Sequence, residues 1–282
     1  MTIRLGGPVF NPSDDPVELA RAHRILGYRA AYCPAVTLAD KQRIIGIENA
    51  FKSADVIIAE VAAFGFNMMD RNENKRKKNL EEMCTRLTLA DEVGARCCVN
   101  IAGFLGKDAT DRTHPDNLSK VAFDLTVENI RYIVDSVKPR RTKFALEMMP
   151  WIIPDSPDSF LDLLKAVDRP GFAAHLDPVN IINSPRRYFE NGSLLKECFS
   201  KIGKWIVSCH AKDSILTGEF VTHINETRPG TGVLDYRIYL KGLESLPHNP
   251  PLLMEHLETQ EEYNMARKYI FSVGKELDIA FE

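Results

Sequence analysis

Residues 144–177 read FALEMMPWIIPDSPDSFLDLLKAVDRPGFAAHLD, and the order of apolar and polar positions in this stretch decides the fold. A short apolar run closes on Glu147, and a loop containing proline and serine follows. Pro157–Val167 then repeats apolar residues at helical spacing. A second apolar run opens at Phe172 and closes on Asp177. The unit is strand, loop, helix, strand. Its strands are continuous apolar runs, as expected of a parallel sheet covered on both faces.

The same unit extends in both directions. Strands are predicted at Ile3–Leu5, Ala30–Cys33, Val56–Val61, Cys97–Ile101, Phe144–Met148, Phe172–Asp177, Trp205–His210 and Leu252–His256. Helices are predicted at Pro16–Leu26, Ala39–Ser53, Leu80–Val93, Asn117–Val137, Pro157–Val167, Leu194–Ile202, Tyr236–Leu246 and Gln260–Glu276. Eight strands, each followed by a helix, are the count of a closed (β/α)₈ TIM barrel, and the length of 282 residues fits one such barrel. Gly27 and Gly94 lie where helices end, and Asp235 and Thr259 stand where N-caps are expected. With no linker, repeat or low-complexity tract, residues 1–282 read as a single domain. Long connections follow the third, fourth, sixth and seventh strands, all on the face where barrels build their sites.

Composition removes several classes of function. Hydrophobic residues make up 44% and charged residues 27%, ordinary values for a globular chain, and a net charge of −3 offers nucleic acid or an anionic membrane no footprint. The basic run Lys75–Lys78 is followed at once by Glu81 and Glu82 and reads as the solvated start of a helix. The six cysteines form no CxxC pair, which excludes a zinc ribbon, and Cys97, Cys98 and Cys209 read as small buried hydrophobes. A reducing cytoplasm is the expected compartment. The N-terminus lacks the basic and apolar regions of a secretory signal, and no apolar run approaches the ~18–20 residues of a membrane span.

Four strands end on an ionisable or polar group: Glu147, Asp177, His210 and Glu255. Neighbouring strands run about 4.8 Å apart, so these side chains can reach one centre. Three carboxylates so close repel one another unless a cation stands among them. The expected cofactor is one divalent metal. A ligand set of three carboxylates and one imidazole favours Mn²⁺, with Mg²⁺ or Co²⁺ as alternatives, over a structural tetrahedral Zn²⁺. Such a site keeps positions open for substrate oxygens, the mark of catalysis.

Other residues carry two readings each. Lys212 shares strand parity with His210 and should face the mouth, to meet a substrate oxygen or to pair with a carboxylate. Asp213 orients the following loop. His175 lies one layer deeper than Asp177 and reads as a core histidine. His256 has the parity opposite to Glu255, is expected to face the helices, and is set aside. Arg228, ahead of Pro229-Gly230-Thr231-Gly232, holds a substrate hydroxyl or is a surface arginine on a turn. Trp151, Phe64 and Phe66 stack on a ring or belong to the core.

The segments ALEMMPW, HLDPVN, SCHAKD, RPGTGVLDY and LLMEHL together resemble the xylose isomerase-like sugar isomerases and epimerases, including the ketose 3-epimerases, over essentially the whole chain. The resemblance implies Glu147, Asp177, His210 and Glu255 as metal ligands. It also implies that Glu147 and Glu255 flank a bound sugar and exchange its proton. Ketose 3-epimerases usually carry a histidine three residues after the aspartate, where it helps to hold the substrate; here Asn180 stands in its place. An amide can hydrogen-bond a hydroxyl but cannot act as an acid.

The implied activity is a metal-dependent isomerase or epimerase that removes a proton α to a carbonyl through an enediolate. The alternative is a lyase or dehydratase acting on a 3-keto sugar or keto-inositol by β-elimination. EMMPW, PDSPDSF, DPVN and SPRRYF look more like that branch, which includes catalytic subunits of C-glycoside deglycosidases. Expected partners are a small sugar or keto sugar and a further copy of the chain, with a small partner subunit if the enzyme is a lyase. A phosphodiesterase of the endonuclease type would need further strand-end histidines and a basic groove, and the chain offers neither.

Overall fold

The protein is described by a computed structural model that covers residues 2–10, 13–107 and 111–281. Along the chain run β1 (Leu5–Gly6), α1 (Pro16–Ile25), β2 (Ala30–Tyr32), α2 (Lys41–Ser53), β3 (Ile57–Ala62), α3 (Glu73–Val93), β4 (Cys97–Asn100) and α4 (Lys120–Val137). There follow β5 (Lys143–Glu147), α5 (Pro157–Val167), β6 (Phe172–Leu176), α6 (Pro185–Phe189), α7 (Asn191–Ile202) and β7 (Ile206–Ala211). The last elements are β8 (Asp213–Thr217), β9 (His223–Thr227), α8 (Tyr236–Glu244), β10 (Leu252–Met254) and α9 (Gln260–Glu276).

Strands β1 to β7 and β10 pair in parallel and in chain order, and β10 closes on β1 through Leu5 opposite Leu252, so the sheet is a TIM barrel. β8 and β9 form a separate antiparallel hairpin between β7 and α8. Sequence alone read that segment as a loop. Its residues largely face solvent and carry no strong apolar alternation, so periodicity had nothing to register.

Parity along each strand sorts the side chains. Phe144, Leu146, Ala174, Leu176, Cys209 and Met254 point outward and pack in the main core between barrel and helices. Inside the barrel lies a small cluster of Cys97, Val99, Ala145 and Ala173. The next inward positions toward the C-terminal ends are polar and buried: His175, Ser208 and His210, with Glu60 from β3.

Local signals fix the ends. Asp235 caps α8 by accepting from Ile238 N, and Thr259 and Glu262 form a capping box on α9. Gly94 terminates α3 in the left-handed region, with φ 73°. That helix starts at Glu73 and not at Leu80, because the Asn72 side chain caps Lys75 N, and its first two turns, including Lys75–Lys78, are largely exposed. Among the described residues no helix is long and apolar enough to cross a membrane.

Asp213 organises the loop beyond the hairpin, as expected. Its Oδ1 accepts from Ser214 N (2.9 Å) and Leu234 N (2.8 Å), and its Oδ2 from Gly230 N (3.0 Å) and Gly232 N (3.1 Å). A Cβ on Gly232 would come within 2.3 Å of that carboxylate, so only glycine fits. Burial pushes the Asp213 carboxyl up, against the pull of the four N–H donors. Replacing Asp213 with alanine leaves those donors without an acceptor and is expected to lower the unfolding free energy by about 2–4 kcal/mol in urea titration. A loss below about 0.5 kcal/mol would mean that the loop holds itself.

Candidate metal centre

The ends of β5, β6, β7 and β10 bring four side chains to one point. Glu147 closes β5, Asp177 follows β6, His210 lies on β7 and Glu255 follows β10. One ligand atom from each lies within 4.8 Å of the others. His210 Nδ1 is the hub, at 2.9 Å from Glu255 Oε1, 3.5 Å from Glu147 Oε1 and 3.7 Å from Asp177 Oδ2. Each carboxylate is oriented by a neighbour. Val179 N donates to Asp177 Oδ1 at 3.0 Å, which leaves Oδ2 facing the centre. Asn180 Nδ2 donates to Glu147 Oε1 at 2.7 Å. Lys212 Nζ lies 2.9 Å from Asp177 Oδ2, 2.7 Å from Glu255 Oε1 and 2.9 Å from Glu226 Oε1 of the hairpin.

The main chain beneath is pinned from outside. Tyr239 and Tyr236, one turn apart on α8, donate hydroxyl hydrogen bonds of 2.8 Å to the carbonyls of His210 and Lys212. Electrostatics follow from the crowding. Burial works against charge on Asp177 and Glu255, but His210 and Lys212 outweigh it and hold both carboxyls below the usual range. Burial likewise opposes a proton on His210, yet Glu60, Asp177 and Glu147 raise the imidazole well above its ordinary value. Lys212 is also raised, the pull of Asp177, Glu255 and Glu226 overcoming burial.

The family model for the xylose isomerase-like TIM barrel matches residues 20–270. The chain belongs to this family. No curated protein matches it in sequence. Among solved structures it is similar to a xylose isomerase-like TIM barrel protein from Mycobacterium smegmatis in complex with magnesium, at 19% identity and TM-score 0.66 over 91% of this chain and 87% of that one. It is also similar to 3-keto-D-glucoside 4-epimerase from E. coli, at 13% identity and TM-score 0.69 over 96% and 100% of the two chains. A third likeness is to a probable 3-DHS dehydratase involved in petrobactin synthesis from Bacillus anthracis, at 15% identity and TM-score 0.66 over 97% and 98%. At these identities the likeness is one of fold.

The strand ends open into a cavity of about 770 Å³ lined by Glu147, Asn180, Lys212 and Glu255. Phe64 and Trp151 line it too, with Phe66 and Phe104. Arg228 lines a smaller neighbouring cavity, where its guanidinium turns back toward the Pro229 carbonyl at 3.4 Å. His256 corrects the sequence reading: it lines the main cavity and does not face the helices. β10 ends at Met254, and His256 takes φ 59°, so strand parity no longer applies to it. Its Nδ1 meets Glu226 Oε2 at 2.7 Å.

Sequence reasoning passed over Glu60. This carboxylate is 1% exposed on β3 and accepts from His210 Nε2 (3.1 Å), His175 Nε2 (3.1 Å) and Ser208 Oγ (3.2 Å). The available signal was a single ionisable residue inside the apolar run IIAEVA, which burial would tolerate only with partners. His175 is the core histidine expected.

A divalent cation fits these donors. His210 Nδ1 is buried and makes no hydrogen bond of good geometry, and Asp177 Oδ2, paired with Lys212 Nζ, lies 3.7 Å from it. Three carboxylates and an imidazole are the oxygen-rich set that hard divalent ions prefer. A ligating histidine must be neutral at the ligating nitrogen, so cation and proton compete for Nδ1. Calorimetry near pH 7 in buffers of different ionisation heat is expected to show one divalent ion bound per chain and release of about one proton. Because His210 is raised, affinity should fall as pH falls, about tenfold per unit. Heats that do not depend on the buffer would contradict this.

Proposed function

We propose that the protein is a divalent-metal-dependent isomerase or epimerase that moves a proton α to the carbonyl of a small keto sugar. The observation that carries this reading is the cluster of Glu147, Asp177, His210 and Glu255 facing an open cavity at the C-terminal ends of adjacent strands. Those four side chains would hold the ion. Mn²⁺ suits them best, with Mg²⁺ or Co²⁺ as alternatives, and a structural neighbour crystallised with magnesium supports the hard-ion choice. When bound, the ion supplies positive charge to a carbonyl oxygen and its neighbouring hydroxyl and so stabilises the enediolate charge that develops as the α proton leaves.

The remaining work falls to the chain. Glu255 is held ionised by His210 and Lys212 and can accept a proton from carbon. Glu147, on the far side of β6 and β7, is aimed by Asn180 and can return one. Return to the opposite face inverts the carbon, and delivery to the adjacent carbon isomerises the sugar. Lys212 lines the cavity, and Nζ can meet a substrate oxygen by giving up its contact with Glu226. Phe64 and Trp151 line the cavity, where they can pack on the apolar side of a sugar.

One observation favours a second reading, β-elimination from a 3-keto sugar or keto-inositol that bears a leaving group. The cavity has the size of pockets that take drug-sized ligands, larger than one sugar ring needs, and Phe64, Phe66, Phe104 and Trp151 give it an apolar rim suited to a phenolic substituent.

Incubation with a panel of keto sugars in D₂O, followed by NMR, is expected to show deuterium entering the α position and chelator stopping the exchange. Glu147→Gln and Glu255→Gln, which also remove a ligand charge, should each slow exchange by about 10²–10⁴-fold when assayed at divalent-ion concentrations that refill the site. Metal bound without exchange on any sugar would sink the reading, and release of water or a phenol would replace it with the elimination.

A further inference from the structure

The barrel interior beneath the strand ends is normally filled by branched apolar side chains. Here it holds a carboxylate, and an ionised carboxylate in that position is costly unless donors stand against both of its oxygens. Glu60 meets that condition: Oε1 accepts from His210 Nε2, and Oε2 from His175 Nε2 and Ser208 Oγ. His175 packs edge-on against His210 with ring centroids 4.1 Å apart, so the two rings and the carboxylate form one buried unit.

The unit has a direction. A hydrogen bond from Nε2 requires the proton to be on Nε2, and in the neutral ring the lone pair is then on Nδ1. Nδ1 is the atom that faces Glu147, Asp177 and Glu255. We propose that Glu60 is a positioning residue for the metal centre: it holds His210 in the tautomer and ring orientation that present Nδ1 to the cation, while His175 and Ser208 hold Glu60. The proposal rests on the metal-site reading above. Carboxylates behind ligating histidines both aim the ring and raise its basicity.

Glu60, His175 and His210 also place ligand atoms within 4.8 Å of one another, the pattern of a second metal site. Their separations are those of hydrogen bonds, and neither Glu60 nor His175 lines the cavity where an ion would enter. The geometry favours the orienting role.

The test compares wild type, Glu60→Gln and Ser208→Ala by Mn²⁺ calorimetry, with substrate absent. Glutamine preserves volume but removes the charge and presents an acceptor to only one of the two imidazoles. Affinity is expected to fall about 10–100-fold in Glu60→Gln. Ser208→Ala, which leaves both imidazole bonds in place, should stay within about threefold of wild type. Equal affinity in wild type and Glu60→Gln overturns the proposal alone, as does an equal loss in both variants, which would mark general packing. Two ions per wild-type chain overturn it in favour of the second site. Failure of the wild type to bind any divalent ion overturns the metal reading and the proposal with it. If Glu60→Gln does not fold, ¹H–¹⁵N NMR of the Mg²⁺-loaded wild type decides: a His210 Nε2 proton shifted downfield and protected from exchange by a hydrogen bond to a carboxylate supports the proposal, and an Nε2 proton without that bond, or a proton on Nδ1, overturns it.

Discussion

Repulsion among buried carboxylates is the constraint on which the site depends. Glu147, Asp177 and Glu255 crowd one end of the barrel with Glu60 beneath them, and folding must place positive charge or hydrogen-bond donors against each. The chain does so with few groups. Lys212 reaches three carboxylates at once, and His210 stands between Glu60 on one ring nitrogen and the other three on the second. A divalent cation is the addition that such an arrangement still accepts, since three acidic groups share one imidazole and one ammonium.

Much of this was legible in the sequence. Buried parallel strands are continuous apolar runs, so the eight strands and their helices stood out, and an ionisable residue closing such a run marked the four groups now seen together. Strand parity placed Lys212 correctly because β7 is regular up to Ala211. It failed for His256 because the strand had already ended. Glu60 was not found because it lies inside an apolar run, where no spacing rule distinguishes it, and its partners on β6 and β7 are more than a hundred residues away. The hairpin was missed for the opposite reason: its outward faces look like loop.

Asn180 shows how far a single position reaches. In sequence it counted as a departure from the ketose 3-epimerases, and in the structure its amide aims Glu147 at the centre with a bond of 2.7 Å. The amide carries no charge at any ordinary pH. The Asn180 side of this contact therefore does not titrate, as a histidine at the same position would.

The two tyrosines of α8 have a consequence for how such a protein can diversify. Their hydroxyls hold the carbonyls of His210 and Lys212 from the helical layer, so the backbone of the centre is referenced to the packed exterior of the barrel. Loops at the mouth contribute walls to the cavity without being the frame that sets this stretch of β7. Insertions, deletions and changed residues in those loops can then alter what the cavity admits while this reference stays where it is. Selection for a new substrate can therefore act on much of the mouth without loosening this anchor of the centre.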